Sequence, residues 1–284
     1  MITVLEAIKL STEYLSKKGI DSPRINAELL LADVIKCKRL DLYLAFDRPL
    51  AEEELNKYRE LIKRRASFEP LQYITGTVEF YGLELKVNPS VLIPRQETEL
   101  LVENILINFS KEAELNILDI GTGSGNIPVA LAYYLPYAQI TSTDISAEAL
   151  TLAQENASKY NLSDRIRFMQ HDILREDMDK FPEFDLVVSN PPYVSLESFS
   201  SLQKEIKDYE PKTAVTDGSD GLSFYRVIVQ KASPKIKEGG KLFFEMAQGQ
   251  YDDVKDLMIK NNFSHIEVVK DYQNIERIIS GEKL

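Results

Sequence analysis

Asn116-Ile117-Leu118-Asp119-Ile120-Gly121-Thr122-Gly123-Ser124-Gly125 is the stretch from which the fold can be read. Its first five residues form an apolar run of strand length. The run stops at three glycines spaced two apart, and a helix follows. Glycine tolerates positive φ and lets a ligand approach the backbone closely. The helix start offers unpaired N–H groups to a carboxylate or phosphate. The same turn can also do no more than pack a helix on a strand, so its weight depends on what surrounds it.

Outward from this turn, strands and helices alternate. Residues 139–144 read as a second strand and 147–160 as the helix after it. Residues 165–170 are a third strand, with Ile166 and Phe168 on one side. Residues 184–189 are a fourth, in which Leu186, Val187 and Val188 stand in a row, as a strand buried on both faces requires. A helix over 224–232, a fifth strand over 241–246 and two β-rich stretches at 265–269 and 275–279 complete the pattern. This alternation predicts an α/β, Rossmann-like doubly wound sheet.

Two carboxylates stand where such a sheet uses them. Asp144 ends the second strand, in position to accept both hydroxyls of a ribose. Asp172 lies just past the third strand, placed to meet an adenine ring or its amino group. The glycine spacing is G-x-G-x-G, and Asn126 occupies the place of the third glycine in a dinucleotide dehydrogenase. S-adenosylmethionine is therefore the expected cofactor, rather than NAD.

The fourth strand runs into Ser189-Asn190-Pro191-Pro192-Tyr193. In an open α/β sheet, ligands bind beyond the carboxyl ends of the strands. An NH₂ group on a carbonyl or an aromatic ring is a poor nucleophile because its lone pair is delocalised. Two acceptors can hold both of its N–H bonds and aim the nitrogen at a methyl sulfonium. The Asn190 side-chain oxygen and the Pro191 carbonyl are that candidate pair. Pro191 and Pro192 stiffen the turn, and the Tyr193 ring can pack over a flat acceptor. Asn190, Pro191 and Tyr193 are the candidate catalytic residues, and Asn190, Pro191, Pro192 and Tyr193 the candidate substrate clamp. The bland alternative is a proline turn after a strand.

The first 75 residues read differently. Val4, Leu5, Ile8 and Leu15 recur near helical spacing and stop at Gly19. Ser22-Pro23 looks like an N-cap with proline at the first helical position. A longer helix is expected from Ala51 to Ser67, with glutamates in its first turn and Lys63, Arg64 and Arg65 in its last. That basic cluster either ends a helix or touches RNA. Residues 77–80 and 83–87 flank Tyr81-Gly82 as a hairpin, and 96–109 form a helix. The expected organisation is a helical domain over 1–75, a hairpin linker over 76–90 and a catalytic domain over 91–284.

The chain has 284 residues, with 34 Lys+Arg against 45 Asp+Glu, a net charge of −11. With 44% hydrophobic residues it is neither disordered nor collagen-like. No apolar run approaches the ~20 residues needed to span a membrane. Glu6, Lys9 and Glu13 interrupt the region where a signal peptide needs an apolar core, so a cytoplasmic protein is expected. The single cysteine, Cys37, cannot form an intrachain disulfide, and with two histidines in the chain no metal site is expected. Residues 1–75 hold 13 basic and 12 acidic groups, so the acidity lies in 76–284, at −12. Such a surface weighs against a nucleic-acid substrate.

These motifs resemble those of the HemK/PrmC family of S-adenosylmethionine-dependent protein-glutamine methyltransferases. The resemblance spans nearly the whole chain. It includes Pro70-Leu71-Gln72-Tyr73-Ile74-Thr75-Gly76, Leu92-Ile93-Pro94-Arg95-Gln96-Glu97-Thr98-Glu99, the glycine turn, the Asn190–Tyr193 motif and Asp217-Gly218-Ser219-Asp220-Gly221-Leu222. It implies a class I methyltransferase domain behind a helical domain that engages a protein substrate. It also implies methylation of the glutamine in the Gly-Gly-Gln motif of peptide chain release factors. Carried onto this chain, Gly121, Thr122, Gly123, Ser124, Gly125, Asp144, Asp172, Ile173 and Asn190 would line the cofactor. Three departures stand out: Gln96 for proline, Ala247 for glycine, and no glycine in Lys270–Arg277 before its Glu276-Arg277 pair. For Arg95, a ligand contact and an interdomain ion pair both stay open. The competing substrates are a glutamine of a large-subunit ribosomal protein and the amino group of adenine in a nucleic acid.

Overall fold

A computed structural model of the chain describes residues 2–284. Contacts divide it into two compact units: residues up to Thr77 together with Gln203–Tyr209, and Val78–Leu202 together with Glu210–Leu284.

The smaller unit is helical: α1 (Val4–Lys17), α2 (Pro23–Ile35), a 3₁₀ turn (Arg39–Tyr43), α3 (Glu52–Ala66) and α4 (Leu71–Thr75). Thr3 and Glu6 form a reciprocal capping box that starts α1. Pro23 opens α2 as expected, but Ser22 is not a side-chain cap. It is left-handed (φ 48°), and its carbonyl instead accepts the backbone N–H and side-chain N–H of Asn26, both at 3.1 Å. At the basic end of α3, both arginines are paired within this unit, while Lys63 is exposed. Arg64 pairs with Glu69. Arg65 is buried against Asn26 Oδ1 (2.6 Å) and the Glu69 carbonyl, and forms an ion pair with Glu205. Leu15, Leu30, Leu31 and Tyr58 form the centre of the unit's core.

The larger unit contains the hairpin β1 (Thr77–Phe80, its first residue grouped with the helical unit) and β2 (Leu83–Lys86), then α5 (Gln96–Asn108), β3 (Asn116–Ile120), α6 (Asn126–Tyr134), β4 (Gln139–Asp144), α7 (Ala147–Lys159), β5 (Ile166–Gln170) and β6 (Phe184–Ser189). Three short helices follow, α8 (Leu196–Phe199), α9 (Lys204–Tyr209, grouped with the helical unit) and α10 (Lys212–Val215). The chain ends with α11 (Ser223–Ala232), β7 (Ile236–Glu245), α12 (Tyr251–Lys260), β8 (Phe263–Lys270) and β9 (Glu276–Lys283). Seven strands make one sheet, in the order β5-β4-β3-β6-β7-β9-β8. All neighbours are parallel except β9, which is antiparallel to both β7 and β8.

Consecutive buried residues of the central strands alternate between two cores. Ile117, Leu186, Val188 and Phe243 face α5, α6 and the hairpin residues Phe80, Leu83 and Leu85. Leu118, Val187, Leu242 and Phe244 face Tyr225, Ile228 and Val229 of α11 and Val254 and Met258 of α12. That is why β6 reads as an unbroken apolar run. The expected missing glycine near the C-terminus is supplied otherwise. Asn274 takes the left-handed conformation (φ 63°), which asparagine tolerates better than most residues. Asp271 then accepts the N–H groups of Gln273 and Ile275 and the Arg277 guanidinium. Ala247 lies outside the positive-φ residues, so its backbone conformation does not demand glycine. Among the described residues, no helix is long and apolar enough to cross a membrane.

Candidate active site

The strand register assembles the site. Ile120 pairs with Thr143 on one side and Ser189 on the other, Asp144 pairs with Gln170, and Ser189 pairs with Phe244. Gly121, Asp144, Asn190 and Glu245 therefore stand together at one edge of the sheet, with Asp172 two residues beyond β5. β3 is where the strand order reverses, since the chain continues to β4 on one side and returns to β6 on the other. This switch point is where open α/β sheets bind ligands.

The glycine turn is held from below and open above. Gly121 and Thr122 donate their N–H groups to the Thr143 carbonyl at 2.8 and 2.9 Å. Gly121, Gly123 and Gly125 all have positive φ. A Cβ added at Gly121 or Gly123 would meet nothing within 4 Å, which leaves room for a ligand against the backbone. At Gly125 it would sit 2.9 Å from Ala153 Cβ, so that glycine serves the packing of α6 on α7. Asp144 Oδ2 accepts the Gly123 N–H and Oδ1 the Ser146 N–H, both at 2.9 Å. Each oxygen keeps a second lone pair. Burial pushes the Asp144 carboxyl above its usual range, and these N–H bonds oppose the shift. At the base of the turn, Asp119 is fully buried and accepts the Ser142 hydroxyl at 2.6 Å. Burial pushes its carboxyl up to about 7. This donor set, an open glycine backbone beside a carboxylate with free lone pairs, fits the ribose and methionine parts of S-adenosylmethionine.

Asp172 stands at the same edge. Its Oδ1 accepts the Leu174 N–H at 3.0 Å, which orders the loop after β5, and Ile173 is buried in the core below. Ser124 and Thr122 are buried within the turn rather than displayed above it.

Beyond β6, Ser189 is locked by its hydroxyl to the Ile120 carbonyl (2.7 Å), which fixes the Asn-Pro-Pro-Tyr turn to the end of β3. Asn190 Nδ2 donates to Thr98 Oγ1 at 3.0 Å. Among the described residues none donates to Asn190 Oδ1 or to the Pro191 carbonyl, so both remain open as acceptors. Pro191 is buried and Pro192 half-buried. The Tyr193 hydroxyl donates to Glu245 Oε1 at 3.0 Å. Gln250 Nε2 clamps the Tyr193 carbonyl at 3.0 Å and the Gly221 carbonyl at 3.1 Å. The negative charge of Glu245 and burial both hold the Tyr193 phenol well above its usual range. Arg95 forms an ion pair with the buried Glu210, and both residues belong to the larger unit.

Thr98, Glu245 and Gln250 are residues that motif reading did not single out. Glu245 carried a signal: a carboxylate directly after the buried apolar run Leu242-Phe243-Phe244 of β7. Burial pushes it up to about 7, against hydrogen bonds from Thr98 and Tyr193.

The sheet order, glycine turn and acceptor pair define a class I S-adenosylmethionine-dependent methyltransferase fold. A solved methyltransferase from Pyrococcus furiosus shares it at a TM-score of 0.52, with 18% identity over 72% of this chain and 90% of that one. The chain matches the family model for the PrmC N-terminal domain over residues 6–76 and that for the methyltransferase small domain over 96–207. It is 41% identical to the release factor glutamine methyltransferase of Geobacter sulfurreducens, covering 98% of this chain and 96% of the relative. It is 40% identical to that of Fusobacterium nucleatum, covering 98% and 78%. The chain belongs to the release factor glutamine methyltransferase family.

Proposed function

We infer that this protein methylates the side-chain amide nitrogen of the glutamine in the Gly-Gly-Gln motif of peptide chain release factors. The observation that carries this is the near full-length identity to curated release factor glutamine methyltransferases. S-adenosylmethionine, when bound, supplies an electrophilic methyl group. Gly121–Gly125 would hold its methionine part, Asp144 its ribose, and Asp172 with Ile173 its adenine. Asn190 Oδ1 and the Pro191 carbonyl accept the two amide N–H bonds of the glutamine and hold its nitrogen in line. Pro192 and Tyr193 shape the slot. The reaction replaces one amide N–H by N–CH₃ and releases a proton. Positioning supplies most of the acceleration.

We assign recognition of the release factor to the helical part, 1–75, and catalysis to 91–284, with the hairpin region 76–90 between them. We assign the protein to the cytoplasm, where translation takes place. The charge of −12 on residues 76–284 supports a protein substrate over a nucleic acid. The test is incubation with labelled cofactor and purified release factor in wild-type and Gln→Ala forms, followed by peptide mapping. Label should enter the Gly-Gly-Gln peptide of the wild type alone. Label on the mutant, on a ribosomal protein or on RNA instead would reject the assignment.

A further inference from the structure

Four side chains from three elements, the turn after β6, α5 and β7, form a hydrogen-bond network that converges on Glu245 at the acceptor side of the site. Asn190 Nδ2 donates to Thr98 Oγ1 (3.0 Å), and Thr98 Oγ1 donates to Glu245 Oε2 (2.6 Å). From the other side, the Tyr193 hydroxyl donates to Glu245 Oε1 (3.0 Å). Thr98 and Glu245 are each about 1% exposed, so water does not replace the bond between them.

The direction of these bonds follows from proton count. An ionised carboxylate only accepts. With one oxygen of Glu245 taking the Tyr193 proton and the other the Thr98 proton, the single proton of Thr98 is committed. Thr98 Oγ1 is then an acceptor toward Asn190, and only the NH₂ end of the Asn190 amide can face it. The oxygen end is left facing the substrate slot. A flipped amide would present NH₂ to the NH₂ of a glutamine, donor against donor. Asn and Gln orientations are set by such networks and not by shape, because the two ends are nearly isosteric.

We propose that Thr98 and Glu245 are positioning residues for methyl transfer: together they fix the orientation of the Asn190 amide so that Oδ1 accepts from the substrate nitrogen. This rests on the reading of the protein as a glutamine methyltransferase. Neither residue touches the substrate. Protonating Glu245 would free its carboxyl to donate to Thr98, release the Thr98 proton toward Asn190 and permit the flip. Burial brings that protonation into an accessible range, up to about 7. The other charged or titratable groups around Glu245 are Glu97 of α5, which raises it, Arg277 of β9, which lowers it, and Tyr193. Tyr225 of α11 donates to the Glu245 backbone carbonyl at 2.8 Å.

The experiment compares wild type with Thr98→Val, Thr98→Ser and Glu245→Gln. Thr98→Val should lower kcat about tenfold or more while the dissociation constant for S-adenosylmethionine changes less than about threefold. Thr98→Ser keeps the hydroxyl and should recover most of that loss. Wild-type kcat should rise with pH through about 7 as Glu245 ionises. Glu245→Gln, which cannot accept both protons, should lack this limb. A readout without substrate is the Asn190 side-chain amide signal in ¹H–¹⁵N spectra, assigned by its loss in Asn190→Asp. It should titrate in wild type and stay fixed in Glu245→Gln. If wild type does not methylate release factor but the amide still titrates, the substrate reading fails and the network stands. If Thr98→Val keeps its kcat, if Thr98→Ser is as slow as Thr98→Val, or if the amide does not titrate, the positioning role is overturned. Should Glu245→Gln not fold, the two Thr98 variants decide alone.

Discussion

Gly123 donates its backbone N–H to Asp144 Oδ2 at 2.9 Å, and this bond joins the two peptide segments that leave β3 and β4. The other oxygen of the same carboxylate holds the Ser146 N–H at the start of α7. Asp144 thus shapes the glycine turn as well as standing at the ligand edge. In its proposed role at the ribose it would serve cofactor binding twice, by presenting acceptors and by holding the turn in place.

Asp144→Ala should therefore raise the dissociation constant for S-adenosylmethionine strongly, by about 30-fold or more, since a buried charge-assisted contact is worth roughly 2–3 kcal/mol. Turnover at saturating cofactor should fall much less. Calorimetric titration beside saturation kinetics checks this. Unchanged affinity would remove Asp144 from the ribose site.

Asn190→Ala should behave in the opposite way. In the proposed clamp its Oδ1 accepts from the substrate amide, so the loss belongs in kcat, at about 100-fold or more by analogy with removal of one oriented polar group. Cofactor affinity should shift only slightly. A mutant that binds S-adenosylmethionine poorly and turns over normally when saturated contradicts the clamp.

Much of this was legible because each signal was local. The boundaries of β3, β4 and β6 follow from apolar runs that end at a glycine, an aspartate and the Asn-Pro-Pro-Tyr turn. The ends of a buried parallel strand are sharp in sequence because both faces are apolar. The partnership of Asn190 with Thr98 and Glu245 was not legible. Those residues are 92 and 147 positions apart in their respective hydrogen bonds and meet only through the register of β6 against β7 and the packing of α5. The twelfth helix, Tyr251–Lys260, was also unread although its signal was local: Val254 and Met258 are buried, Tyr251 and Leu257 pack beside them, and all four lie on one helical face. Ser22 misled for a different reason. Residue type favours a cap, but the left-handed backbone turns its side chain away.

The two glycines of the turn should separate stability from binding. Gly125→Ala places a methyl 2.9 Å from Ala153 Cβ at φ +80°. Left-handed strain costs about 1 kcal/mol and the overlap roughly 1–3 more. The urea midpoint should drop with little change in slope. Gly123→Ala meets no atom within 4 Å at φ +55°, so its stability loss should be the smaller. Its methyl would project into the proposed cofactor space, so its affinity loss should be the larger. Equal effects in both measurements would mean that the turn is only a packing device.

Asp119→Asn should change how stability depends on pH. In the folded protein burial raises the Asp119 carboxyl from 3.8 to about 7. Between those values the native state keeps the proton that the unfolded chain has lost. Stability is therefore present below the unfolded value and is lost as pH rises through the folded one. Asparagine keeps an acceptor for Ser142 and has nothing to ionise, so its contribution stays flat. The mutant should gain on wild type as pH rises from about 4.5 to 7.5, by on the order of 3 kcal/mol at 1.36 kcal/mol per unit. Glu245 is raised in both proteins and cancels in the difference, whereas Asp144, whose charge also raises Asp119, adds to the pH dependence that the substitution removes. Urea midpoints without cofactor at the two pH values measure it. A difference independent of pH would show that Asp119 stays ionised in the fold.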